Sequence, residues 1–117
     1  MLLGGAIGAL TRYGVTILST KTYGTGFPVG TLIVNLVGCL LIGLAFGLGE
    51  YKGISPTFRL FFITGFLGAL TTFSSYSLET INNASNGSVN LALVNIAVNN
   101  IGGLILVKVG LALSRFI

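Results

Sequence analysis

The chain has 117 residues, of which only eight are charged: six basic and two acidic, with no histidine and a net charge of +4. Charged residues make up 7% of the sequence, against about 25% in soluble globular domains, too few to form the polar shell that a soluble domain requires. The basic residues stand singly rather than in a patch, which argues against nucleic acid as a partner, and the lack of histidine together with a single cysteine, Cys39, rules out imidazole catalysis, a zinc site and a disulfide framework.

Hydrophobic residues make up 53% and the mean hydropathy is +0.98. The charges also leave long gaps. Residues 22–49, 60–78 and 80–107 carry none. A bilayer-spanning helix takes about 20 apolar residues, so each gap holds one span, and a fourth fits the start of the chain if Arg12 is accommodated within it. The sequence therefore predicts an all-α membrane protein with four transmembrane helices, at approximately residues 2–19, 29–48, 57–82 and 89–116, forming a single transmembrane domain. No basic stretch precedes Leu2 and Arg12 interrupts the first run, so that run does not read as a signal peptide.

In the first span, Gly4 and Gly8 are four apart, as are Gly43 and Gly47 in the second. This small-residue spacing lets membrane helices approach closely. Arg12 lies about 18 Å of helix rise from the start and about 13 Å from Lys21. That is too deep to snorkel comfortably, so it either caps neighbouring carbonyls or attracts anions in a vestibule. In the second span, Thr31, Asn35 and Gly38 share one face. The Asn35 amide serves either as inter-helix glue or as an uncharged pair of donors for a small anion.

The third span contains Thr71-Thr72-Phe73-Ser74-Ser75-Tyr76-Ser77, in which six of seven side chains carry a hydroxyl, preceded by Gly65 and Gly68. At membrane depth this composition predicts a helix broken mid-membrane, because irregular backbone is tolerated there only when buried in protein or lining water. Carbonyls freed by a break suit a hard cation. Phe73 and Tyr76, three apart, project to one side, and the positive edges of their rings can face an anion. In the fourth span, Asn95, Asn99 and Gly103 form one stripe, with Asn100 on another face. Glu79 closes the hydroxyl segment, placed to face a vestibule or to pair with a basic residue. The distribution of Lys and Arg favours both termini on the cytoplasmic side.

The stretches GGAIGALTRYG (Gly4–Gly14), GFPVGTLIVNLVGCLLIG (Gly26–Gly43) and GFLGALTTFSSYSLE (Gly65–Glu79), taken in this order and spacing, resemble the Fluc-type fluoride channels. The resemblance covers about the first two-thirds of the chain and is looser in the fourth span. It implies a small four-span protein of the bacterial plasma (inner) membrane that exports fluoride passively, as an antiparallel dimer of four-helix subunits with two separate pores. It places Asn35, Phe73 and Tyr76 in the fluoride pore; Ser74 is a further candidate there, and the Asn95–Asn99 stripe, read from the residues themselves, either completes the polar track or makes interhelical hydrogen bonds. The resemblance also puts Arg12 near the vestibule, and a structural sodium ion on the backbone carbonyls of Gly68 and Thr71. Two departures stand out. The family pattern usually has Phe where this chain has Tyr76, and Asn95 and Asn99 occupy places where the family often carries a Tyr–Ser track.

The expected function is fluoride-selective conduction without covalent chemistry, so the protein is not an enzyme. Some family members pair non-identical subunits, so a homodimer and a heterodimer with a paralogous subunit both fit, including one in which this chain is a pore-inactive partner. A small multidrug-type proton antiporter has similar size but needs a carboxylate in its first helix, where this chain has Arg12. A purely structural subunit would account for the glycine pairs but not for the donors and rings gathered in one segment.

Overall fold

The structure is a computed structural model that describes residues 1–117. It is entirely helical, and four helical runs are long and apolar enough to cross a membrane: Leu2–Tyr23, Val29–Lys52, Pro56–Ser85 and Val89–Phe116. We label the helices α1 (Leu2–Tyr23), α2 (Val29–Lys52), α3 (residues 56–70), α4 (Phe73–Ser85) and α5 (Val89–Leu113). The third run is interrupted at Thr71 and Thr72, whose backbones are extended, and so comprises α3 and α4. The longest dimension, 48 Å, is close to the full thickness of a bilayer with its headgroups, about 40–45 Å.

The helices extend a few residues beyond the spans expected from the charge-free runs. α1 continues to Tyr23, α2 to Lys52 and α4 to Ser85. Hydropathy marks the apolar stretch of a helix, whereas the helix ends where the backbone turns. Gly24 and Gly53 follow α1 and α2 with φ of 77° and 72°, and Gly87 adopts φ 85° between α4 and α5. These left-handed conformations favour glycine and stop helices. At the start of α3, the Ser55 hydroxyl accepts a hydrogen bond from the Phe58 amide, and Pro56 occupies the first turn.

Most of α3, Arg59–Leu67, is wound as a π-helix. Along α3 the rings of Phe58, Phe62 and Phe66 are stacked in succession at centroid separations of 5.5 and 5.6 Å. α1 lies against this stretch and α2 lies along α5. Glycine permits both contacts. A Cβ at Gly8 would strike the Phe66 carbonyl, and one at Gly43 would strike the Val107 carbonyl. The close-packing reading of the two glycine pairs therefore matches the structure.

Only 19 residues are buried in the single chain, and the apolar core cluster consists of Val34, Leu67 and Leu70 with half-buried Val15, Leu41, Phe62 and Phe66 against it. Large apolar side chains point outward along the helices. A water-soluble protein of this size would bury them, whereas a lipid-facing one has no reason to.

Candidate functional site

The helix break organises the polar groups of the molecule. When α3 stops at Leu70, its last carbonyls and the first amides of α4 lose their helical partners. The half-buried Thr72 N–H and C=O must be satisfied from elsewhere. Asn35, on α2, does this with both ends of its amide. Its Oδ1 accepts from the Thr72 amide at 2.8 Å, and its Nδ2 donates to the Thr72 carbonyl at 3.2 Å. The Thr72 hydroxyl caps α4 by accepting from the Ser75 amide at 3.2 Å.

That clamp sets the polarity of a longer chain of bonds. Because a backbone N–H can only donate, Asn35 must present Oδ1 to Thr72, which fixes its Nδ2 toward Asn99. Asn35 Nδ2 donates to Asn99 Oδ1 at 3.1 Å. Asn99 Nδ2 donates to Asn95 Oδ1 at 2.8 Å and to the Asn95 carbonyl at 2.9 Å. Asn95 Nδ2 donates to Thr80 Oγ1 at 2.8 Å, and the Thr80 hydroxyl donates to the Tyr76 carbonyl at 2.7 Å. The ladder ties α2, α4 and α5 together around the break.

A groove of about 360 Å³ runs beside this ladder. Its walls bring together Asn35, Thr72, Phe73, Tyr76, Asn99 and Asn100. The Phe73 and Tyr76 rings have centroids 5.4 Å apart and planes tilted by 57°, so they form one aromatic wall. Gly68 and Thr71 also line the groove. The amide that would continue α3 onto the Gly68 carbonyl, that of Thr72, donates to Asn35 instead, and the Thr71 carbonyl accepts from no donor of the chain.

Three expected site residues lie off the groove wall. Asn95 is fully buried (0% exposed) behind Asn99 and acts there as inter-helix glue. Ser74 is exposed, 3.2 Å from the Thr72 hydroxyl. Arg12 donates through Nε to the Ala69 carbonyl at 3.0 Å, so of its two sequence readings the capping of carbonyls is the one seen here. Of the two readings of Asn35, inter-helix glue and an uncharged donor pair for an anion, the bonds seen here are those of the first. Both amide hydrogens are engaged, because the break leaves a peptide that only this side chain reaches. Glu79 takes a hydrogen bond from Thr31 Oγ1 at 2.6 Å rather than pairing with a basic residue. It lies in a second, polar cavity of about 310 Å³ between the ends of α1, α2 and α4.

Sequence reasoning missed the partner of Asn100, whose Nδ2 donates to the Tyr76 hydroxyl at 2.9 Å. The available signal was a polar side chain standing outside the Asn95–Asn99 stripe on an apolar helix. Helical periodicity assigns a face but not the neighbour that meets it.

These features define a multi-pass helical membrane protein with a polar and aromatic groove at a broken helix. The chain belongs to the CrcB-like family (CrcB-like protein, camphor resistance), whose pattern it matches over residues 1–111. It is 44% identical over 115 residues to a protein of Maridesulfovibrio salexigens, covering 97% of this chain and 91% of the relative. It is 46% identical over 114 residues to one of Pseudomonas putida KT2440, covering 97% and 92%. It is 44% identical over 115 residues to one of Salinibacter ruber, covering 98% and 86%. All three relatives bear the name fluoride-specific ion channel FluC.

Proposed function

We propose that this protein is a fluoride-selective channel through which F⁻ leaves the cytoplasm passively across the plasma membrane of a bacterium. The observation that carries this reading is the convergence of Asn35, Phe73 and Tyr76 on one groove at the helix break, in a chain whose family relatives are named for fluoride conduction. A channel needs no covalent chemistry, so the protein acts as a conduit rather than an enzyme.

Fluoride is small and strongly hydrated, so the path must replace its water while holding it loosely enough to release it. Amides, hydroxyls and ring edges satisfy both demands, whereas a lysine in the constriction would trap the ion. The tilt between Phe73 and Tyr76 favours ring edges turned toward a shared space. Asn35 is tethered to Thr72 by two bonds. An ion that draws one amide hydrogen away leaves the other tether in place, so the exchange is cheap and reversible. Arg12 caps the Ala69 carbonyl and keeps its positive charge, which would raise the local concentration of anions approaching the path. Ser74 and Asn99 supply further polar groups along the track, and Asn95 supports Asn99 from behind.

Gly68 and Thr71 would hold a structural sodium ion through their backbone carbonyls. The donor set fits: hard oxygen ligands suit such a cation, and the break strips the Gly68 carbonyl of its helical donor and leaves the Thr71 carbonyl without one. When bound, the ion supplies positive charge that offsets the exposed carbonyl dipoles of the break.

The groove is open on one side, and Phe73 beside it is 77% exposed. A closed path needs a second wall, which an antiparallel dimer provides, as a homodimer or with a paralogous subunit.

The test is fluoride efflux from liposomes containing this chain, read with a fluoride electrode, with chloride as control. Fast fluoride efflux with negligible chloride leak is expected. Asn35→Ala and Phe73→Ala are expected to abolish it. Wild-type flux in both variants would overturn the pore assignment. Efflux that appears only on co-reconstitution with a paralogous subunit would identify a heterodimer.

A further inference from the structure

Tyr76 and Asn100 form a hydrogen-bonded pair on the groove wall. Asn100 Nδ2 donates one hydrogen to the Tyr76 hydroxyl oxygen at 2.9 Å and another to the Ile96 carbonyl at 2.8 Å. Its donors are therefore spent. The Tyr76 hydroxyl accepts from Asn100 but donates to no group of the chain. The pair thus leaves one donor unassigned, the phenolic proton, on a wall that also carries Phe73 and Asn35.

The direction of that proton is not free. Conjugation holds a phenolic O–H in the plane of its ring, where it has two choices, one on each side of the C–O bond. A donor occupying one side leaves the other for the proton. Asn100 therefore selects the position of the Tyr76 proton, much as a second group sets the tautomer of a histidine. By donating to the oxygen it also polarises the O–H bond and strengthens it as a donor.

We infer that Asn100 is a positioning residue that holds the Tyr76 hydroxyl as a directed donor for fluoride, adding a binding station to the groove. This rests on the channel reading and deepens it by naming a determinant of ion affinity. A hydroxyl donor binds an anion more strongly than a ring edge does, and fluoride is the halide that accepts hydrogen bonds most strongly. The pair therefore raises fluoride occupancy at low concentration. Its cost is slower release, because conduction requires the ion to leave.

The experiment measures fluoride efflux over a range of fluoride concentrations for the wild type, Tyr76→Phe, Asn100→Leu and the double variant. Tyr76→Phe is expected to raise the half-saturating fluoride concentration about tenfold. Asn100→Leu is expected to raise it about threefold through the unfixed proton, and to have no further effect once Tyr76 is Phe. A merely structural role would lower the maximal rate or the yield of folded protein without this shift in half-saturation. Unchanged half-saturation in both single variants, with the wild type conducting, would overturn the inference and leave the channel reading standing. A wild type that conducts no fluoride, alone or with a paralogous subunit, would overturn both.

Discussion

Two regions join the helices of this protein by opposite means. Along the seam between α2 and α5, glycine removes side chains so that backbones touch: Gly43 meets the Val107 carbonyl, and Gly110 meets the Leu40 carbonyl and the Leu44 amide. Around the helix break, side chains of Asn35, Asn95, Asn99 and Thr80 bridge the helices instead. The seam joins intact helices, whose backbone groups are already paired, so van der Waals contact is what remains to gain. The break exposes unpaired peptide groups, and polar side chains are spent where those groups lie. In a membrane bundle, polar residues therefore mark defects in the backbone as much as contacts between helices.

Substitutions can break this contrast in order of severity. Gly43→Val drives a side chain into the Val107 carbonyl, tighter than any real contact allows. It is expected to cost about 3 kcal/mol, the upper range for overpacking, and to abolish the monodisperse peak in size-exclusion chromatography. Asn35→Leu leaves both polar atoms of the Thr72 peptide unpaired. A loss of about 2 kcal/mol is expected, read as a fall in thermal stability in detergent together with loss of fluoride flux. Thr72→Ala removes the cap of α4 and should cost about 1 kcal/mol, visible in the same melting assay. Asn95→Leu removes one rung in the interior, where membrane hydrogen bonds are worth about 0.6 kcal/mol, although the rung it leaves unpaired at Asn99 adds to the effect. A stability loss for Asn95→Leu larger than that for Asn35→Leu would reverse the ranking and place the weight of the polar network away from the break.

Much of this contrast was readable in the sequence. Charge-free runs marked three of the four spans because a charge in lipid is costly, and the first was marked by its apolar run despite Arg12. The segment from Thr71 to Ser77 marked the break because so many hydroxyls have no other use at that depth. The faces were right as well: Thr31, Asn35 and Gly38 meet Glu79, Thr72 and Thr71, respectively, all across one junction. What the sequence withheld was pairing. Arg12 reaches Ala69 across 57 positions and Asn35 reaches Asn99 across 64, and no local pattern encodes such partners. The same limit hid the double engagement of the Asn35 amide, since a donor count says what a side chain offers but not what has already claimed it.

The asparagine ladder also bears on a different particle. A proton crosses a membrane by hopping through groups that accept it on one side and release it on the other, as hydroxyls, imidazoles and water do. An amide keeps its hydrogens and offers only its oxygen, so each asparagine in the ladder interrupts such a relay. The one carboxylate near the site, Glu79, is bonded to Thr31 and stands outside the ladder. Between the Thr80 hydroxyl and the break the ladder passes through three successive asparagines, so a proton relay along it is interrupted there.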